Sequence, residues 1–448
     1  MNKTTVVISA PVDTYSGYGA RARDFVKSLL ILGEYDVKII PQRWGNTRFG
    51  YLQDHNEYDL QSLLIGGKLD QQPDVFIQHT VPNEFQRVGK YNIGLTAGIE
   101  TTIASGPWIE GCNRMDLILT SAEHAKEVFE KSIFSKQDPQ SGQQAQLRLT
   151  TPVEVLFEGV DVSKYFPDTE RKNKTDISTT LDSIDENFCF LSVGHWLQGA
   201  LGEDRKNIGY TVKTFLETFK NTKNPPALVL KTQQATSSIL DREKILDQIA
   251  EIRQTVKGAL PNVYLIHGEV SDSEINELYN HPKIKAFVTH TKGEGFGRPI
   301  LEFSAVNKPV ICSGWSAPVD YLDKEFCTLL PGTLKQVHPS AVQKDIIIPE
   351  SQWFQPDDAA VGKAYKDVFK NYEKYFKLAK RQGHKSRTDF SLVKMTEKLG
   401  EILKNRLPEF PKQVQLQLPK LNLPKLKKVG EETKPELPKL NLPKLKKI

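Results

Sequence analysis

The stretch His290-Thr-Lys-Gly-Glu294-Gly-Phe-Gly-Arg-Pro-Ile-Leu-Glu302 decides how the chain is read. Upstream, Lys285-Ala-Phe-Val-Thr289 is an apolar run of strand length; downstream, an amphipathic helix opens. Glycines at such a strand-to-helix junction let backbone N–H groups approach a ligand closely, and the helix N-terminus favours an anion. Pro299 falls near the first helical turn, where its missing N–H costs little. Glu302 lies about one turn into the helix and can point back toward whatever the loop holds. A carboxylate there accepts hydrogen bonds from paired sugar hydroxyls and would repel a bare phosphate.

Outward from this junction, short β-branched runs alternate with amphipathic stretches in both directions. On the N-terminal side strands are expected at 5–9, 37–40, 75–78, 92–96, 117–120 and 153–156, and helices at 20–32, 83–88 and 122–132. A second series starts at Phe188-Cys-Phe-Leu-Ser-Val-Gly194. It continues through 208–220, 227–231, 243–256, 263–267, 273–280, 286–290, 298–306 and 310–312. Strands joined by crossover helices form parallel, doubly wound sheets. From Asp168 to Glu186 the chain turns polar, with few large apolar residues, and reads as an interdomain linker. A helical region at 357–403 closes the body.

The expected fold is α/β, with two Rossmann-like domains facing across a cleft. The first domain is placed at 1–170, the linker at 171–186 and the second domain at 187–385, followed by a closing helix at 386–406 and a tail at 407–448.

Bulk composition agrees with two cores. A chain of 448 residues, 38% hydrophobic and 26% charged, suits two domains of roughly 200 residues each. No apolar run approaches the ~18 residues that a membrane span needs. Met1-Asn-Lys3 leads straight into Thr4-Thr-Val-Val-Ile8, which reads as a first strand and not as a signal peptide. The four cysteines (Cys112, Cys189, Cys312, Cys327) show neither metal-ligand spacing nor disulfide density, so a reduced, cytoplasmic compartment is expected.

The net charge of +5 is unevenly spread. From Pro408 onward ten lysines face four glutamates, a surplus of six, which leaves the body at −1. Within this tail Leu418-Pro-Lys-Leu-Asn-Leu-Pro-Lys-Leu-Lys-Lys428 recurs unchanged at Leu437–Lys447. Its regularly spaced prolines forbid a continuous helix, so an extended, polyanion-seeking appendage is expected.

The 290–302 segment resembles the Glu-seven-residues-Glu signature of retaining family-four glycosyltransferases, enzymes of the GT-B architecture. The resemblance implies that Glu294 contacts hydroxyls of the transferred sugar and Glu302 the ribose of the nucleotide. The backbone of Gly295-Phe296-Gly297 would meet sugar and phosphate. Ser192-Val-Gly-His-Trp196 and Asp204-Arg-Lys-Asn207 resemble the family's diphosphate clamp, with Arg205 and Lys206 neutralising the leaving diphosphate. His195 stands where an arginine is more usual, and Lys231 is placed to compensate. Tyr264–Ser271 resembles the base-binding strand and loop, where the backbone near Glu269 and Val270 would meet the nucleobase.

In the first domain Ser16-Gly17-Tyr18-Gly19 lies between a strand and a helix, so its N–H groups can face a diphosphate. His79 ends a strand at the position where the family often has a histidine touching the transferred sugar. Glu100 and the turn Glu158-Gly-Val-Asp161 match the family without a chemical assignment.

Together these imply a retaining hexosyl- or pentosyltransferase using a nucleotide-diphosphate sugar, UDP favoured and GDP or ADP open. The resemblance also implies that no metal is required, and the sequence, which holds no Asp-x-Asp triplet, agrees. The 16–19 and 43–47 segments resemble, more loosely, glycosyltransferases encoded by large tailed phages, which would place the protein in the host cytoplasm. That points to a hydroxymethylated or glycosylated DNA base as acceptor, with the lysine-rich tail adding affinity for the phosphate backbone. A surface glycan, a lipid-linked sugar or a protein would also fit, as would a non-catalytic nucleotide-sugar-binding module. The sequence leaves oligomeric state open.

Overall fold

The computed structural model describes residues 3–137, 144–170, 175–197, 199, 201–234 and 237–410. The repeats at 418–428 and 437–447, and with them the expected extended tail, lie outside the described residues.

Two six-stranded parallel sheets organise the body. The first holds β1 (Thr4–Ala10), β2 (Tyr35–Pro41), β3 (Val75–His79), β4 (Tyr91–Thr96), β5 (Leu117–Thr120) and β6 (Val153–Val155). Their spatial order is β2-β1-β3-β4-β5-β6, every pair parallel. The second holds β7 (Cys189–His195), β8 (Ala227–Gln233), β9 (Val263–Ile266), β10 (Ile284–Thr289), β11 (Val310–Ser313) and β12 (Thr328–Leu330). Its order is β9-β8-β7-β10-β11-β12, again all parallel. Strands covered on both faces are largely apolar, and β3 and β5 are buried along their whole length, with polar residues only at their carboxyl ends. In each sheet the chain reverses its direction of winding beside the first strand, at β1/β3 and at β7/β10. Such a reversal opens a crevice at the carboxyl ends of the strands, where ligands of this architecture bind.

Helices fill the crossovers. The helix after β1, α1 (Gly17–Leu32), is capped at its N-terminus by the Ser16 hydroxyl, which accepts from Gly19 N–H. It ends at Gly33, whose left-handed φ of 71° favours glycine. Its Phe25, Val26 and Leu29 are buried, each contributing about 1.5–3 kcal/mol. After β7 comes α2 (Ile208–Phe219), after β9 α3 (Asp272–Asn280) with a Ser271/Glu274 capping box, and after β10 α4 (Arg298–Ala305).

The segment read as a linker contains a helix, Asp176–Asp182, whose Ile177 and Leu181 pack into the second domain. The expected helix at 83–88 is reduced to one 3-10 turn, Pro82–Glu84. Beyond it side chains take the backbone donors: Gln86 N–H goes to Gln78, and the N–H groups of Val88 and Gly89 go to Asn92 Oδ1.

Two elements outside the sheets help to join the domains. The last helix, α5 (Leu392–Arg406), returns to α1, where Thr396 donates to Ser28 at 2.8 Å and Arg21 reaches Met395 Sδ at 2.9 Å. An antiparallel hairpin, Gly332–Gln336 with Gln352–Pro356, extends from the second domain. It exchanges two 2.9 Å hydrogen bonds with Thr102 of the first. Among the described residues no helix is long and apolar enough to cross a membrane.

Candidate active site between the two sheets

The loop after β7 and the loop after β10 are laced together. Lys292 N–H donates to Arg205 O at 2.8 Å, and the Asn207 side chain donates to His290 O at 3.1 Å. That stitching brings Arg205 and Lys206, some ninety residues away in sequence, onto Glu294 (|i−j| of 89 and 88). Lys206 Nζ donates to both carboxylate oxygens at 2.8 and 2.7 Å. Arg205 adds a 3.3 Å contact to Glu294, a 2.8 Å bond to Gly293 O and a 3.2 Å ion pair to Glu100 of the first domain. Burial pushes the Glu294 carboxyl up, but Lys206 and Arg205 outweigh it and hold it below the usual carboxylate range. Its N–H is fixed by Ser316 Oγ at 2.9 Å.

Glu294, Gly295, Phe296 and Gly297 do not line the cavity between the sheets. The loop is pressed against the first domain, where a Cβ on Gly295 would lie 3.0 Å from the Ala97 methyl. Phe296 is buried against Tyr321, and Gly297 caps α4 with a φ of 89°.

The cavity itself, of about 890 Å³, runs along the other half of the crevice. Gly17, Lys206, Lys231, Glu269, Val270 and Glu302 all line it, so six of the residues singled out in the sequence converge there. Lys231 donates to Gly268 O at 2.8 Å, and burial pulls its ammonium down to about 8 against the attraction of Glu269. His195 faces the same space, brought to about 4 by burial and by Lys206, Lys231 and Arg205, so its imidazole is neutral at pH 7.

Glu302 is held by Arg298 at 3.6 Å. Arg298 also reaches Asp24 at 2.8 Å and Glu158 at 3.4 Å, both in the first domain. This cluster escaped sequence reading, because the partners of Arg298 lie 274 and 140 residues away. Arg48, likewise missed, pairs with Glu269 across the crevice at 2.6 Å.

In the first domain Gly17 is open, whereas a Cβ on Gly19 would strike the Thr14 carbonyl. Tyr18 does not line the cavity. Its ring stacks between Trp44 (centroids 3.8 Å apart) and His79 (4.8 Å). His79, expected to touch the transferred sugar, is 1% exposed behind that ring and does not reach the cavity. Burial and nearby Arg21 lower it to about 3, so it is neutral, and its Nδ1 has no hydrogen-bond partner. Among the described residues no cluster of three or more His, Cys, Asp or Glu gathers that could hold a metal ion.

No protein-family model matches the sequence, and no curated protein is similar enough in sequence to match it. Solved structures do match. The glycosyltransferase of Rickettsia africae ESF-5 superposes with a TM-score of 0.60 at 15% identity, over 92% of this chain and 100% of that one. Sucrose-phosphate synthase from Thermosynechococcus elongatus gives 0.58 at 12%, over 90% and 99%. Anabaena Alr3699/HepE in complex with UDP and glucose gives 0.57 at 12%, over 90% and 100%. At these identities the likeness is one of fold: the chain has the two-domain, Rossmann-like architecture called GT-B.

Proposed function

We propose that the protein is a glycosyltransferase that moves a hexosyl or pentosyl group from a nucleotide-diphosphate sugar to an acceptor hydroxyl with retention of configuration. The observation that carries this reading is the arrangement of Lys206, Lys231 and Glu302 along one crevice, with Glu294 held behind Lys206 at 2.7 Å. Two fixed cations beside the N-terminus of α1 suit a diphosphate. Glu302 suits a ribose diol, and Glu294 the hydroxyls of the sugar.

In the reaction the bond from the anomeric carbon to the phosphate oxygen breaks and its electron pair leaves with the nucleoside diphosphate. The acceptor oxygen takes its place on the same face and passes its proton to the departing diphosphate oxygen. Lys206, Arg205 and Lys231 offset the charge gathering on the leaving group, a task that in other enzymes falls to a divalent ion. Turnover is therefore expected to survive chelators. Neutral His79 can hydrogen-bond the sugar once the Tyr18 ring withdraws. The backbone of Gly295–Gly297 meets the sugar and phosphate once the loop parts from Ala97. UDP is the favoured nucleotide, consistent with the UDP and UDP-glucose complexes of Alr3699/HepE. A hydroxymethylated or glycosylated DNA base is the acceptor suggested by the 16–19 and 43–47 segments and the lysine-rich tail.

The test is a panel of UDP-, GDP- and ADP-sugars against hydroxymethylated DNA, unmodified DNA, glycans and lipid-linked sugars, read by diphosphate release and product mass. Release with a matching mass increment on one acceptor supports transfer. Nucleotide binding with no turnover on any acceptor would mark a binding module and overturn the enzymatic reading.

A further inference from the structure

On its side of the cavity the first domain presents a built aromatic and cationic face. Tyr15 N–H donates to Arg48 O at 3.0 Å, and Thr14 bridges to Phe49, so the loops after β1 and β2 are zipped side by side. The Arg48 guanidinium lies over the Tyr15 ring, 4.6 Å from its centroid. The Tyr15 hydroxyl and Arg48 both bond Asp54 at 2.6 Å, which fixes the height of ring and guanidinium. Behind them Tyr51 stacks on His55, with centroids 3.8 Å apart, and meets Tyr15 edge-on at 5.1 Å.

This face looks across the cavity at Gly268–Val270, the loop after β9, and Arg48 spans the gap to Glu269 at 2.6 Å. Both side chains of that pair are well exposed, 53% and 36%. An exposed ion pair of this kind contributes little to stability and is readily exchanged. It does not hold the domains; it is suited to opening and reclosing over a ligand.

Accepting the donor reading given above, we infer that the nucleobase is gripped from both domains, with Tyr15 and Arg48 supplying the face opposite Gly268–Val270. The geometry favours a base over a sugar or a phosphate. A planar ring stacks on a guanidinium plane, and Tyr15 backs that plane from behind. A phosphate is disfavoured, because Asp54 and Glu269 already balance Arg48. Tyr15 also directly precedes Ser16 and Gly17, so the base wall continues into the α1 N-terminus proposed to face the diphosphate.

The experiment is calorimetric titration of the full chain with UDP, GDP, ADP and pyrophosphate, for the wild type, R48A, R48K and Y15A. Stacking of one base is worth on the order of tenfold in affinity, so R48A and Y15A should weaken the nucleotides by about that factor and leave pyrophosphate unchanged. R48K keeps the charge and loses the plane; it should resemble R48A. Nucleotide affinities unchanged in R48A and Y15A would overturn the inference, as would an equal loss for pyrophosphate or full rescue by R48K. Failure of the wild type to bind any nucleotide would instead sink the donor reading itself.

Discussion

Lys206 Nζ lies within hydrogen-bonding distance of both oxygens of Glu294, 2.8 and 2.7 Å, and the two residues come from different crossover loops of the same sheet. The pair lies where the cavity meets the loop after β10, and Lys206 is the member that faces the cavity. A cation placed there can serve a carboxylate before ligand binds and a diphosphate afterwards.

Lys206→Ala leaves Glu294 buried with Arg205 as its remaining charged partner. Loss of a charge-assisted pair at this burial is expected to lower unfolding free energy by about 1.5–3 kcal/mol, read from urea denaturation. Glu294→Gln keeps the shape and removes the charge; it should cut transfer at least ~100-fold while UDP affinity moves little. Normal turnover in Glu294→Gln would remove this residue from the site.

The two glycines of the first loop separate a structural role from a binding one. Alanine at Gly19 runs into Thr14 and should destabilise the protein by about 1–3 kcal/mol. Alanine at Gly17 meets nothing within 4 Å and stands at the first position of α1, so the melting temperature should hold. If the α1 N-terminus receives the diphosphate, the added methyl should weaken UDP by roughly tenfold. Equal UDP affinity in Gly17→Ala and the wild type would place the diphosphate elsewhere.

Both sheets were legible because parallel strands covered on two faces must be apolar runs, and Val75–Ile77 or Ala286–Val288 could be nothing else. The loop from Gly293 to Gly297 was legible because its close packing and the left-handed φ of 89° at Gly297 demand glycine. What the sequence concealed is what the fold brings together from afar. Nothing local to Arg298 announces Asp24, nor does Arg48 announce Glu269, 221 residues on. The hairpin Gly332–Gln336 with Gln352–Pro356 was invisible because its first strand is largely exposed and its second buries the adjacent Trp353 and Phe354, so neither alternates as a strand with one buried face does. His79 lies at the end of β3 as expected; its cover, the Tyr18 ring, comes from the first turn of α1.

Arg298 joins α4 to the first domain, and its replacement tests what holds the domains together. Arg298→Ala strands Asp24, Glu158 and Glu302 near one another without their shared cation. Breaking such a largely buried cluster from one side costs roughly 3–5 kcal/mol. Urea unfolding should shift accordingly, and small-angle scattering should show a larger radius if the contact also restrains the domains. A variant as stable as the wild type would mean that the three carboxylates find other partners.

Glu302 sets the pH response. Burial pushes its carboxyl up to about 7, Asp272, Asp24 and Glu158 add to the rise, and Arg298 opposes it. Below the unfolded value of 4.5, folded and unfolded chains are both protonated at this position and it costs nothing. Between there and about 7 the folded protein keeps a proton that the unfolded chain has released, so stability falls as pH rises through that window. Above it the penalty is complete. On the proposed ribose contact, binding runs the other way, because the ionised carboxylate is the better acceptor for a diol. UDP affinity should therefore climb through neutrality while the stability attributable to this group declines. Glu302→Gln should remove both trends, leaving weaker UDP binding that no longer climbs toward neutrality and falls only where Lys231 gives up its proton, at about 8, and a stability profile that drops less between about pH 5 and about pH 8. If the wild type and Glu302→Gln give parallel profiles in denaturation and in UDP titration, the carboxylate neither titrates in that window nor touches the nucleotide.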